Sequence, residues 1–139
     1  MSYLLDTNIV SEFRRKAPDE AAMAWVETVS SYDLFLSVLT VGEIRQGIER
    51  LAVRDPGQAA ILEEWSHRLV TDYADRIVPV TLEAAELWGR LNAGSPLALV
   101  DGLLAATALV HNWTLVTRNT TDVERTGVRL LNPFEKSRH

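Results

Sequence analysis

Four polar residues of this sequence stand where an apolar run ends or a helix is expected to begin: Asp6, Glu43, Asp101 and Asn119. In a parallel sheet, strand ends and the first turns of the following helices share one edge, so these side chains can converge there. Three clustered carboxylates repel one another, and no Lys lies within a few residues of any of them. Oxygen ligands, without Cys or paired His, favour Mg²⁺ or Mn²⁺ over Zn²⁺. The pattern therefore predicts a site for a hard divalent cation.

Three of these residues also have ordinary structural explanations. Asp6 could do no more than bond the backbone N–H groups of the helix that it precedes. Glu43 lies three residues after Thr40, which is the spacing of a capping box with Thr40 as the N-cap. Asn119 could be a turn or N-cap residue. The spacing alone leaves these alternatives open.

Asp101 is the hardest of the four to explain by structure alone. It lies near the start of the segment 99–110, which is apolar or small nearly all the way round and is therefore expected to be a buried helix. A helix dipole would favour an Asp at this place. A carboxylate beside a buried helix nevertheless needs a cation or several hydrogen-bond donors to offset its desolvation.

Short apolar runs alternate with helical patterns along the chain. Strands are expected at 3–5, 34–37, 77–80, 114–117 and 128–131, and the clearest helices at about 61–73, 82–93 and 99–110, the first of them after a break at 55–57. Thr7 and Asn8 are good N-cap types for a helix that begins near Ile9, and Thr40 for a later one. This alternation predicts an α/β fold: a three-layer α/β/α sandwich around a central, mostly parallel sheet.

The length of 139 residues and the 47 % hydrophobic content indicate one domain over 1–139, with a polar tail at about 135–139. There is no Cys, which suits a reducing compartment. No basic segment followed by an apolar stretch begins the chain, and no apolar run approaches the roughly 18 residues that span a bilayer. We expect a cytoplasmic protein with no membrane association.

The charge balance is acidic, with 14 Lys and Arg against 19 Asp and Glu, a net charge of −5. This argues against indiscriminate binding of nucleic acid through a basic surface. Two local basic patches remain, the run 14–16 and the spaced residues Arg45, Arg50 and Arg54. We interpret both as solvated faces or as ion-pair partners of nearby Glu residues.

A family resemblance covers the whole chain. Several segments, in this order, resemble the PIN-domain ribonucleases of bacterial toxin–antitoxin modules, with the VapC toxins and their FitB-like relatives as the nearest match: 4–8, 36–47, 100–108, 115–119 and 132–134. One departure is the segment 91–97, which is shorter than the helix and loop that relatives usually have there. It bears on the rim of the site and on a dimer contact.

The resemblance implies an Mg²⁺- or Mn²⁺-dependent endoribonuclease, the toxic component of a type II toxin–antitoxin system. It implies an RNA substrate, inhibition by a cognate VapB/FitA-like antitoxin, and a toxin homodimer within a complex that binds operator DNA through the antitoxin. The family's three acidic residues fall on Asp6, Glu43 and Asp101. Its fourth acidic place falls on Asn119, where the charge is missing, and Asp122 is the alternative fourth ligand.

The expected reaction is hydrolysis of a phosphodiester bond. Asp6 and Asp101 would bind the ion directly or through waters, and Glu43 would complete the site and orient or deprotonate the attacking water. Thr7 and Thr117 are expected to hydrogen-bond the carboxylates. Together with Arg118, these two threonines are also the candidates for substrate contact. Arg118 could hold a phosphate or an antitoxin carboxylate, or be an ordinary surface residue.

Two other functions are compatible with acids at strand ends. The first is a non-enzymatic metal-binding regulator resembling a response-regulator receiver. It would need an acidic pair after the first strand, an Asp after the third and a Lys after the fifth, and none of these is present. The second is a PIN nuclease that acts on structured DNA, or one that has lost activity and only binds its antitoxin.

Overall fold

The computed structural model describes residues 1–94 and 96–134, so the tail expected at 135–139 lies outside the described residues. Within this part of the chain, five strands form one sheet: β1 Tyr3–Leu5, β2 Leu34–Ser37, β3 Ile77–Val78, β4 Thr114–Val116 and β5 Leu130–Leu131. Seven α-helices lie between them: α1 Thr7–Val10, α2 Glu20–Thr28, α3 Val38–Arg54, α4 Pro56–Asp72, α5 Leu82–Asn92, α6 Leu99–His111 and α7 Thr120–Val123.

The sheet is parallel throughout and has the strand order β3-β2-β1-β4-β5. Leu4 in β1 is level with Phe35 in β2 on one side and with Leu115 in β4 on the other. The strand order runs outward from β1 in one direction to β3, and then in the other direction from β4 to β5. The reversal lies between β1 and β4, and ligands of open α/β sheets bind outside the strand ends at such a reversal.

The two faces of the sheet are covered by separate apolar clusters. Leu4 packs with Leu104 and other residues of α6, whereas Leu5 packs on the opposite face with residues of α1 and with Leu69 of α4. All four of these side chains are buried. Because successive residues of a strand point to opposite faces, one short strand contributes to both clusters. The predicted three-layer α/β/α architecture is confirmed.

The start of α1 differs from the prediction. The helix begins at Thr7, and Asp6 is its N-cap, since the Asp6 side chain accepts a hydrogen bond from the Thr7 backbone N–H. Thr7 and Asn8 lie inside the helix, so the prediction that they cap a helix beginning near Ile9 was wrong. Asp and Asn are both strong N-cap residues, and the local sequence offered three candidates in a row.

The predicted capping box at Thr40 was also wrong. Ser37 is the N-cap of α3, and its hydroxyl accepts from the Leu39 backbone N–H at 3.0 Å. Thr40 is therefore inside the helix and fully buried. The Glu43 carboxylate consequently has no capping role and is free to contact another element.

Three strands are shorter than predicted. The strand expected at 77–80 ends at Val78, because Pro79 has no N–H to donate to a ladder. The strand expected at 128–131 covers only its last two residues and follows a left-handed turn at Gly127 (φ +79°). Thr117 lies just beyond β4, although its N–H still donates to the Leu131 carbonyl at 3.0 Å.

No helix of the described chain is long and apolar enough to cross a membrane.

Candidate acidic site at the switch point of the sheet

The four polar residues singled out in the sequence line one cavity of about 300 Å³ at the carboxyl edge of the sheet: Asp6, Glu43, Asp101 and Asn119. The cavity opens between the ends of β1 and β4, at the reversal of strand order. The residues come from four different elements and are separated by up to 113 positions, so only the parallel topology brings them together. The structure thus brings all four predicted residues into one cavity.

Asp6 is held across the two central strands. Its backbone N–H donates to the Val116 carbonyl of β4 at 2.9 Å. Its Oδ1 accepts from the Thr7 N–H at 2.6 Å, and its Oδ2 accepts from the Thr117 hydroxyl at 2.8 Å. The Asn8 amide also approaches Oδ2, at 3.4 Å. The Asp6 residue is only 7 % exposed, and hydrogen bonds hold both oxygens of its carboxylate.

The pKa of the Asp6 carboxyl is raised above its ordinary value. Burial is the largest cause, and the negative charges of Asp101 and Glu43 add to it. The hydrogen bonds from Thr117 and Thr7 act in the opposite direction, because they stabilise the ionised form. The hydrogen bonds of Asp6 therefore do not fully offset the effect of burial, to which the two neighbouring charges add.

Glu43 reaches α1 from α3. The Thr7 hydroxyl donates to Glu43 Oε1 at 2.5 Å, and it also lies 3.3 Å from the Thr40 hydroxyl. The contact joins α1, the helix after β1, to α3, the helix after β2. Thr40 and Glu43 thus contact another helix and do not cap their own. Thr7 thereby bonds two carboxylates, Asp6 through its N–H and Glu43 through its hydroxyl.

Asp101 lies in the first turn of α6 and is half-buried. Burial raises the pKa of the Asp101 carboxyl, and the charges of Asp122 and Glu43 raise it further. The N-cap residue of α6 is Ala98, whose side chain makes no hydrogen bond, so the first-turn N–H groups lack a side-chain acceptor from the cap. Like Asp6, Asp101 is a carboxylate whose surroundings disfavour ionisation.

The chemistry of this donor set fits a hard divalent cation. All three acids offer carboxylate oxygens, and burial and mutual repulsion leave negative charge that a cation would offset. Within residues 1–94 and 96–134, however, no group of three Asp, Glu or His side chains is arranged to hold a metal ion by itself. Water molecules or side-chain rotation must therefore complete any coordination shell, as is usual for Mg²⁺, which keeps several waters.

The two candidates for a fourth ligand both lie near the acids. Asn119 lines the cavity, and its backbone N–H donates to the Thr117 hydroxyl at 3.0 Å. Asp122 does not line the cavity, although its charge is felt by Asp101. Asn119 thus lines the shared space, whereas Asp122, in α7, acts on the site only through its charge on Asp101.

Arg118 stands at the edge of the site. Its backbone N–H donates to Asn8 Oδ1 at 3.3 Å, and its guanidinium carbon lies 3.7 Å from the centre of the Phe134 ring. Its side chain is exposed but is not among those that line the cavity. Thr7 lines the cavity; Thr117 is buried behind it and acts on Asp6.

Three residues of α3 that the sequence pattern did not assign to the site also line the cavity, Gln46, Gly47 and Arg50. They follow Glu43 by three, four and seven positions, so they lie on the same face of the helix. That periodicity is the signal by which they could have been found. Arg50 brings the only positive charge among the side chains that line this cavity in the described chain.

Comparison with known proteins gives a consistent result. The PIN domain family matches residues 3–128. VapC ribonuclease Y4jK of Sinorhizobium fredii is 32 % identical over 95 % of this chain and 97 % of its own length. Toxin FitB of Neisseria gonorrhoeae is 32 % identical over 94 % of this chain and 97 % of its own length.

Among solved structures, FitAB bound to an IR36 DNA fragment superposes with a TM-score of 0.86 and 31 % identity, covering 99 % of both chains. The sheet order, the acids at its reversal and these similarities agree with one another. The chain belongs to the PIN-domain family, and within it to the VapC/FitB-type toxins of toxin–antitoxin systems.

Proposed function

We propose that this protein, acting as one domain over 1–139, is an Mg²⁺- or Mn²⁺-dependent endoribonuclease that hydrolyses RNA phosphodiester bonds as the toxin of a type II module. One observation carries the proposal: Asp6, Glu43 and Asp101 meet in a cavity at the switch point, with the pKa values of both aspartates raised. Relatives named ribonuclease and toxin, at 32 % identity over nearly the full length, support it.

Asp6 and Asp101 would hold the ion, because both are partly desolvated carboxylates that gain most from a neighbouring cation. When bound, the ion would activate water and offset the charge that develops on the phosphate and leaving oxygens. Glu43 would orient the attacking water and accept its proton, and the leaving oxygen would take a proton from bulk water. The bond of Glu43 to the Thr7 hydroxyl keeps the carboxylate oriented toward this edge of the cavity.

The remaining side chains position these groups. Thr117 and Thr7 hold Asp6, and Asn119 orients a water or a phosphate oxygen through its amide. Arg50, which lines the same cavity, is suited to hold a substrate phosphate oxygen, and Arg118 at the edge can hold the next phosphate or an antitoxin carboxylate. No Lys is needed for this arrangement.

The proposed partner is an antitoxin of the VapB/FitA type, encoded beside this protein. The support is the similarity to FitB and to FitAB bound to DNA. We further propose a toxin homodimer whose complex with the antitoxin binds operator DNA through the antitoxin. RNA and a co-expressed antitoxin are both cytoplasmic, so the proposal places the protein in the cytoplasm.

The receiver-like alternative is contradicted by the sheet. Receivers and their flavodoxin-like relatives have the order 2-1-3-4-5, whereas β1 here lies between β2 and β4. The alternative of a PIN nuclease for structured DNA is decided by offering both kinds of substrate in the assay below.

The test combines calorimetry with Mn²⁺ and cleavage of single-stranded RNA, with structured DNA as the competing substrate. Asp101→Asn should lose measurable Mn²⁺ binding and RNA cleavage while keeping its fold, because the ion loses a charged ligand. Asp72→Asn is the matched control, since it removes an exposed carboxylate outside the cavity. An Asp101→Asn protein that binds Mn²⁺ and cuts RNA like the control contradicts the proposal.

A further inference from the structure

The arginines of the two basic patches divide into two groups in the structure. Arg15 pairs with Glu12 at 3.4 Å, and Arg45 pairs with Glu49 at 3.3 Å and with Glu63. For these two residues, the expected role as ion-pair partners is confirmed. Each of these two guanidinium groups already has a carboxylate partner within the protein.

The other arginines of the patches have no such partner. In the described part of the chain, no carboxylate lies within 4 Å of the guanidinium groups of Arg14, Arg50 or Arg54. Arg50 lines the acidic cavity. Arg14 and Arg54 line a second cavity of about 220 Å³ beside it. Although the chain has a net charge of −5 and 19 acidic residues, three guanidinium groups around two cavities are thus left available to an anion.

The two cavities share a wall. Thr7, Glu43 and Gly47 line both of them. A ligand that spans this wall would therefore contact the acidic site with one part and the second cavity with another. A single strand of nucleic acid is such a ligand, because its phosphates and bases repeat along one chain and adjacent nucleotides can occupy adjoining cavities.

The second cavity combines an apolar wall with a basic rim. The half-buried side chains of Ile44, Leu51 and Trp65 line it, with Arg14 and Arg54 at the edge. Such a cavity offers an apolar surface and an indole for a flat ring, next to two guanidinium groups for an anion. A nucleotide has both parts, since proteins bind single-stranded bases on aromatic and apolar side chains and their phosphates on Arg.

We propose that this second cavity binds one nucleotide of single-stranded RNA next to the scissile phosphate, with its base against Trp65 and its phosphate on Arg14 and Arg54. The inference rests on the proposed ribonuclease function and names a subsite of it. It also gives the acidic site a way to retain a polyanion: the carboxylates repel RNA when no cation is bound, and the unpaired arginines attract it from the adjoining cavity.

The first test measures binding without cleavage. A fluorescein-labelled RNA pentamer is titrated by anisotropy in EDTA against protein carrying Asp101→Asn, from 50 to 200 mM salt. Adding Arg14→Gln with Arg54→Gln should weaken binding about 10-fold or more, and should flatten the salt dependence by about 0.7 in slope for each phosphate that the variant no longer neutralises. The charge-matched control is Arg68→Gln with Arg90→Gln, two exposed residues that line neither cavity.

The second test concerns the base. Five pentamers, each abasic at a different position, are compared with the intact RNA, and one position should lose roughly 10-fold in affinity, the scale of one stacked base. Gly47→Leu should abolish that preference by filling the shared wall, where an added Cβ meets nothing within 4 Å. Gly42→Leu is the control, since it makes the same change in α3 with equal space and lines neither cavity.

Each outcome has a defined meaning. If the arginine pair and its control bind RNA equally, or no abasic position matters, the subsite is refuted while a ribonuclease remains possible. If the arginine variant and its control bind RNA equally, but a peptide of the neighbouring antitoxin binds the Arg14 and Arg54 variant more weakly than the control, the cavity binds the antitoxin. The subsite is again refuted. If no version of the protein binds or cleaves RNA, the proposed function itself fails.

Discussion

The buried hydroxyl of Thr117 allows the contribution of one contact in the acidic site to be measured. Thr117 is 1 % exposed and donates to Asp6 Oδ2 at 2.8 Å. Thr117→Val removes the donor and keeps the shape of the side chain. A hydrogen bond to an ionised group contributes about 1.5–3 kcal/mol net. We expect the free energy of unfolding at pH 7 to fall by about 2 kcal/mol and the thermal midpoint by about 7 °C, using typical unfolding entropies for a chain of this length.

The effect should depend on pH in a defined direction. The Thr117 bond favours ionised Asp6 and opposes the increase in its pKa caused by burial, so the variant should raise that pKa further. An acid whose folded pKa exceeds its unfolded value destabilises the folded state once it ionises. The difference between variant and wild type should therefore be largest above the raised pKa of Asp6 and shrink as the pH falls through it.

The assay is urea denaturation at several pH values for Thr117→Val, Asp6→Asn and the double variant. If the hydroxyl acts through the Asp6 charge, the two substitutions should be non-additive by at least about 1 kcal/mol at pH 7. Asn is a suitable replacement because it is also a strong N-cap, so the cap of α1 is kept. Additive effects, or a loss in Thr117→Val that stays constant from pH 7 to pH 4, would refute the reasoning.

Three further predictions concern the same edge of the sheet. Without metal, the free energy of unfolding of the wild-type protein should fall as the pH rises through the raised pKa values of the buried acids. Asp101→Asn should raise the thermal midpoint at pH 7 and weaken this dependence on pH. Thermal scans that are the same for variant and wild type would contradict this. Gly102→Ala should lower the midpoint by roughly 3–10 °C, because its Cβ would lie 2.9 Å from Trp88 Cδ1. Asn119→Ala should slow RNA cleavage roughly 10-fold and Asp122→Ala should have little effect; the reverse ranking would move the fourth ligand to Asp122.

Much of the fold was predictable because it depends on local patterns. Tyr3–Leu5 is apolar and is followed by a carboxylate, so both the strand and the place of Asp6 at its end could be inferred. The N-cap residue of α3 could not be predicted in this way. Ser37 and Thr40 are both N-cap types three residues apart, and the choice is made by tertiary contact, since Thr40 is buried against Thr7.

The residues of the site that the sheet topology alone brings together could be predicted. The roles of residues that are adjacent in sequence but point in different directions could not. Asp6, Glu43 and Asp101 follow from the shared edge of a parallel sheet. Arg14 and Arg15 are adjacent in sequence and chemically identical, yet one lines a cavity and the other pairs with the buried Glu12. Which of two adjacent side chains meets a partner depends on the packing of distant elements, and no local pattern records it.

The order of the strands has a consequence for synthesis on the ribosome. β1 is made first but lies in the middle of the sheet, and the residues that fix Asp6 from the other side come from β4 and the turn after it, 111 positions later in the case of Thr117. At typical elongation rates of 5–20 residues per second, that interval is about 5–20 s. Throughout it, the nascent chain already carries Asp6 and later Glu43, but lacks the Val116 carbonyl and the Thr117 hydroxyl that hold Asp6 in place. A chain that stalls before β4 cannot assemble the acidic site, so the cavity forms only once the last third of the domain has emerged.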